Sequence, residues 1–170
     1  MLWAAGLISY FGSMITYVAV PFQIKELTGS YVAVAISGLV EIVPLIIFGL
    51  YGGVLADALD RKKLIWVTEL LSLLFTAILL INSMMDSPNL LLIYIVSGLF
   101  AATSGLRQPA MQAALPRLVD HEDMTAAAAL MSLRWQVGVI VGPAIGGILI
   151  SSYSVAVGYA ADIATFIISI

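Results

Sequence analysis

The chain has 170 residues, of which 62% are hydrophobic and 10% charged, with a formal net charge of −3 and a mean hydropathy of +1.09. Soluble domains hold about 45–50% apolar and about 25% charged residues, and a chain this small leaves much of its surface in solvent, so lipid is the solvent that fits. With no cysteine and one histidine, His121, a disulfide framework, a thiolate metal site and an imidazole zinc site are excluded. The lack of long lysine and arginine runs argues against a nucleic-acid surface. No metal and no cofactor is expected.

A helix that crosses a bilayer needs about 20 mainly apolar residues. Such stretches recur in series, predicting helices at about 2–26, 31–56, 63–85, 89–113, 124–152 and 153–170. The first is uncharged as far as Ile24; it has neither a basic leader nor an A-x-A-like cleavage site, so it reads as a retained helix rather than a signal peptide. The second carries Glu41, the third Glu69, the fifth Arg134 and the sixth Asp162. Leucine, isoleucine, alanine and glycine dominate, and no period-2 alternation is present. That favours helices over a β-barrel, the only two architectures that satisfy the backbone in lipid, and predicts an all-α membrane protein. Trp3, Trp66 and Trp135 fall near predicted helix ends, as an aromatic belt would place them. The acidic run Asp120–Asp123 suits the N-terminus of the fifth helix.

Lysine and arginine set orientation through the short connections. Arg61, Lys62, Lys63 and Arg117 lie on one side, and only Lys25 on the other. The basic side, with the N-terminus, is therefore expected in the cytoplasm. Five spans and an unfinished sixth, with no polar tail, are expected to be a piece of a longer membrane protein.

The connection after the second span reads Gly53-Val54-Leu55-Ala56-Asp57-Ala58-Leu59-Asp60-Arg61-Lys62-Lys63. A glycine, an aspartate four residues on and a basic cluster, on the basic side, resemble the signature between helices two and three of the major facilitator superfamily. Ala58 and Asp60 depart from it, standing where the family usually has arginine and often glycine. The second exchange is common in the branch similar to macrolide-efflux proteins and enterobactin exporters. In the fifth span, Gly138, Gly142, Pro143, Gly146 and Gly147 resemble the family's antiporter motif. Spacing of four also lays Gly138, Gly142 and Gly146 along one helix face, a groove for close packing, so plain helix packing stands beside the antiporter reading. Weaker agreement at Val20–Gln23, Leu27–Ser30, Gln108–Ala110 and Leu115–Pro116 extends the resemblance over nearly the whole chain.

The resemblance implies an N-terminal six-helix bundle of two inverted three-helix repeats, with the sixth helix truncated and a C-terminal bundle outside this chain. It implies that Gly53, Asp57, Arg61, Lys62 and Lys63 form a cytoplasmic latch between the halves. It also implies a secondary transporter rather than an enzyme, exporting drug-like or siderophore-like small molecules by alternating access and driven by protons, from the bacterial inner membrane.

Ionisable groups at membrane depth cost about 2.5–3.5 kcal/mol each and usually face a cavity or a partner. Glu41 lies ~15 Å into its span and is a candidate proton or cation site, as is Asp162; either could instead be a hydrogen-bonded packing residue. Arg134 could hold an anionic substrate or balance a carboxylate such as Glu69 or Asp162. Glu69 is expected to join a cytoplasmic ion-pair cluster with Arg61 or Arg107. An uptake symporter of the same fold, a non-transporting scaffold or sensor, and an intramembrane aspartyl protease are the rival readings; the last lacks a paired-aspartate motif.

Overall fold

A computed structural model describes the backbone of residues 2–118 and 121–169, and the side chains of these except 2–5, 56–57, 114–118 and 121. Six helices run in order: α1 Leu2–Thr28, α2 Tyr31–Ala58, α3 Arg61–Ser83, α4 Leu90–Leu118, α5 Met124–Ser152 and α6 Val155–Ser169, with no strand among the described residues. The first five are long and apolar enough to cross a membrane, while α6 is shorter.

The helix ends have local causes. Gly29, at φ 65°, closes α1 in the left-handed conformation that only glycine adopts without strain. Ser30 then caps α2 by accepting from the Ala33 amide at 3.3 Å. The connection expected over residues 57–63 shrinks to Leu59 and Asp60. Asp60 accepts from the amides of Lys62 at 2.9 Å and Lys63 at 3.4 Å, so the basic cluster opens α3 instead of lying in a loop. Between α3 and α4, Asn82 is buried and closes a clip on Asn89, whose amide donates to Asn82 Oδ1 at 2.9 Å. Helix α4 runs to Leu118, past the expected end near residue 113. The acidic run before α5 includes a short 3-10 turn, His121–Asp123; Asp120 lies outside the described residues.

The most extensive helix pairings are internally symmetric. Helix α1 packs on α5 and α6, α4 packs on α2 and α3, and α3 packs on α6. Exchanging 1 with 4, 2 with 5 and 3 with 6 leaves this set unchanged, as two three-helix repeats about a pseudo-two-fold axis require. The two central helices, α1 and α4, are about half buried, whereas few residues of α2 are fully buried.

Apolar burial concentrates at one end. Ala19, Val20, Ile24, Leu79, Ile93, Val96, Ile150, Val155 and Tyr159 form one cluster. By position in their helices these lie at the end away from the basic α2–α3 connection. The interior nearer the basic end is hydroxyl-rich: Ser9, Ser13, Thr68, Ser72 and Thr103 are buried. Most bond a carbonyl of their own helix, as Ser13 does to Ser9 at 3.0 Å and Thr103 to Phe100 at 2.7 Å. Such back-bonding lets a hydroxyl reside in lipid without an orphaned donor.

Candidate transport site

Asp162 is fully buried where α6 meets α1 and α3. Its Oδ2 accepts from Thr16 Oγ1 of α1 at 2.5 Å and from Thr76 Oγ1 of α3 at 3.0 Å. Thr76 also stands 3.0 Å from the Ser72 carbonyl, and a hydroxyl carries one proton, so its hydrogen is divided between two acceptors. The other oxygen, Oδ1, has no hydrogen-bond partner. It packs against Gly12, where a Cβ would collide with Asp162 Oδ1 and Thr165 Oγ1. Glycine at position 12 is therefore what allows the carboxyl to lie against the backbone of α1.

Arg134 occupies a second intramembrane position, on α5. Its guanidinium lies over the Tyr10 ring of α1 at 5.6 Å. The Cβ that Gly6 lacks would lie 2.6 Å from Arg134 Nη1, and that nitrogen is buried without a hydrogen-bond partner. Asp162 is bonded to threonines, and Glu69 Oε1 accepts from Ser169 Oγ at 2.7 Å, so neither carboxylate expected to balance Arg134 bonds it. Arg61 Nη1 donates to the Ala113 carbonyl of α4 at 2.7 Å.

Glu41 is half-buried on α2 and has no side-chain hydrogen bond among the described residues. The structure thus does not bring Glu41 and Asp162 together. Trp135, expected near a helix end, lies well inside α5 beside Arg134, with its side chain exposed.

The glycine stripe of α5 meets α1. Gly138, Gly142 and Gly146 are buried; Cβ atoms at the first two would strike Tyr10 and Met14, and one at Gly146 would press tightly on Ile15. Gly147 has open space around it, as has Gly53 of the basic motif. Close approach at the end of α2 falls instead to Gly52, whose Cβ would lie 3.0 Å from Pro109 and 3.1 Å from the Gly105 carbonyl. Lys62 and Lys63 are exposed, and the Asp57 side chain lies outside the described residues. Sequence reasoning missed Thr16, Thr76 and Gly12; the signal available was small or hydroxyl residues within otherwise apolar spans. No cluster of metal-ligating side chains occurs among the described residues.

Paired three-helix sets of long apolar helices, with carboxyl and guanidinium groups held at depth, define a multi-pass α-helical membrane protein. A family model described as transmembrane secretion effector matches residues 1–170, and the chain belongs to this family of the major facilitator superfamily. The enterobactin exporter EntS of Salmonella choleraesuis is 37% identical over 145 residues, covering 84% of this chain and 34% of that protein. EntS of Shigella boydii is 35% identical and EntS of Escherichia coli 34% identical over the same coverage. The chain spans about a third of the length of these relatives. No solved structure matches it.

Proposed function

We propose that this chain forms the N-terminal bundle of an exporter that moves siderophore-like or drug-like small molecules out across the bacterial inner membrane, driven by protons. The names of the relatives, enterobactin exporters, support the direction and the substrate class. In this reading a second bundle faces the exposed apolar sides of α2 and α5, and the two rock about a substrate site near the midplane. The four basic residues Arg61, Lys62, Lys63 and Arg117 against Lys25 alone support a cytoplasmic N-terminus. The basic start of α3 would serve as the latch between bundles.

One observation carries the coupling: a carboxyl sealed inside the spans, held on one oxygen by two threonines from two other helices and unbonded on the other. A group at such a junction that gains and loses a proton changes the bonds between α1, α3 and α6, which links protonation to helix position. Glu41, half-buried on α2, is the second candidate for the same task.

The test is efflux by the full-length protein in proteoliposomes under an imposed pH gradient, with a catecholate siderophore and a lipophilic dye as cargo. The expected result is gradient-driven efflux of at least one compound, lost in Asp162→Asn or Glu41→Gln while substrate exchange without a gradient persists. Movement of neither compound under any gradient sinks the exporter reading and favours the scaffold or uptake alternatives.

A further inference from the structure

The outer face of α3 is built differently from its inner one. Its buried residues, Thr68, Ser72, Thr76, Leu79 and Asn82, look inward, where Ser72 bonds Thr103 of α4 and Thr76 bonds Asp162 of α6. On the opposite side lie Val67, Leu70, Leu74 and Ile81, 44% to 65% exposed. Spacings of three, four and seven residues set them in one row. Lys63 heads that row, four residues before Val67, with Lys62 and Trp66 beside it. The basic cluster is divided at this point. Arg61 turns inward, its Nη1 donating to the Ala113 carbonyl of α4 at 2.7 Å. Lys62 and Lys63 are exposed, and neither ammonium has a partner among the described residues. Asp60 holds one carboxylate oxygen on the Lys62 and Lys63 amides.

Asp60, Lys62, Lys63, Trp66, Val67 and Leu70 border one open groove of about 460 Å³. Two ammoniums against one carboxylate leave its head net positive, and its lower wall is apolar. Depth then selects the occupant. Lys62 and Lys63 stand in the first turn of the span Arg61–Ser83, at the level of lipid headgroups, and Leu70 lies ~10 Å deeper, among acyl chains. Trp66, between them, is the side chain that favours this boundary. A phosphodiester on the lysines, with its chain along Val67, Leu70 and Leu74, matches both ends of the groove at once. A soluble anion would leave the apolar wall uncovered, and a neutral lipid would leave the head net positive. The faces given above to a second bundle belong to α2 and α5, so this face of α3 stays with lipid. We infer that Lys62, Lys63 and Trp66 form a docking site for an anionic phospholipid of the phosphatidylglycerol type. The inference needs the membrane class of the chain and is independent of the exporter reading.

The experiment counts bound lipid. Full-length protein in detergent is titrated with dioleoylphosphatidylglycerol, and in parallel with the phosphatidylethanolamine and phosphatidylcholine of the same chains, and retained lipid is read by native mass spectrometry. A lysine beside an anionic headgroup is worth a factor of about five. Lys62→Gln and Lys63→Gln are each expected to need about five times more phosphatidylglycerol for the same retention. The pair variant should lose one tightly held phosphatidylglycerol per protein, with phosphatidylcholine unchanged. Both positions are exposed, and the single variants serve should the pair fold poorly. Lys25→Gln is the control: that ammonium lies over the Tyr31 ring at 3.4 Å, at the other end of the bundle, and its loss should leave the count unchanged. Equal retention by wild type and pair variant overturns the site and leaves the lysines to contacts with the second bundle. A loss as large in Lys25→Gln overturns it as well, since general surface charge then accounts for the binding. Equal retention of phosphatidylethanolamine at the lysine-dependent position overturns the choice of an anionic lipid. Displacement by glycerophosphoglycerol, the headgroup without chains, at concentrations matching the lipid overturns the role of the apolar wall.

Discussion

Thr76 on α3 and Asp162 on α6 are joined by a 3.0 Å hydrogen bond between the two helices that the internal pseudo-symmetry exchanges. The bond therefore spans the seam between the two three-helix repeats. Thr16 of α1 meets the same carboxyl oxygen, so one buried atom ties three helices whose positions relative to each other define the bundle.

Removing those donors separately tests how far the junction depends on them. Thr16→Val and Thr76→Val each keep shape and delete a hydroxyl. Each is expected to lower stability by about 1–2 kcal/mol, between the range for bonds to charged groups and the smaller values typical inside membranes. The double variant should lose more than the sum, because it leaves the carboxyl with no donor at all. Unfolding in bicelles, followed for the two single variants and the pair, reads this directly. Strict additivity would show that the carboxyl is satisfied from elsewhere.

Two glycines separate packing from pattern. Gly12→Ala places a methyl against Asp162 and Thr165, both buried or half-buried and short, and should destabilise by about 1–3 kcal/mol. Gly147→Ala meets open space and should be neutral or stabilise by up to about 1 kcal/mol, since alanine is the better helix former. Opposite signs in thermal unfolding are the expected result. A destabilised Gly147→Ala in the full-length protein would mean that another segment packs on that face.

These contrasts mark what the amino-acid pattern could and could not convey. Hydropathy located the spans because twenty apolar residues in a row leave few alternatives. Spacing of four picked out Gly138, Gly142 and Gly146 as one face, yet nothing in that spacing names α1 as the helix received there. Of the adjacent pair Gly52 and Gly53, the family pattern draws attention to the second, while the first makes the close approach to α4. Asp162 and Glu41 look alike in sequence, each a lone acid in an apolar run. Only the fold separates a carboxyl sealed by two threonines from one left half-buried. The threonines show only as hydroxyls in apolar runs, a pattern that does not single them out, because a hydroxyl in a membrane helix commonly bonds its own backbone, as Thr76 does in part.

The start of α3 sets a favourable cap against unfavourable charge. Arg61, Lys62 and Lys63 occupy its first turn, where the helix dipole disfavours cations, and Asp60 offsets this with its capping carboxylate. Asp60→Ala is expected to cost about 1 kcal/mol, while Asp60→Asn retains most of the capping bond. Faster hydrogen exchange at the Lys62 and Lys63 amides in the alanine variant alone is the observation to seek. Unchanged exchange would place the stability of this turn in the Arg61 bond to Ala113.

The seam between α2 and α4 should tolerate substitution least. A Cβ on Gly105 would lie 2.7 Å from the Leu45 carbonyl and 3.0 Å from the Gly49 amide nitrogen. Both obstacles are backbone, which cannot rotate aside, so Gly105→Ala must push the helices apart along their contact. In lipid there is little hydrophobic force to hold a loosened pair, and close backbone approach supplies most of the attraction. At Gly6 the nearest obstacle is Arg134 Nη1, the far end of a long side chain that can swing aside. Gly105→Ala is therefore expected to lower the unfolding temperature more than Gly6→Ala does, by a margin equivalent to about 1–2 kcal/mol. The reverse order would mean that the α1–α5 groove, with its Tyr10, Met14 and Ile15 contacts, is the more rigid seam, and that the bundle is held mainly through α1.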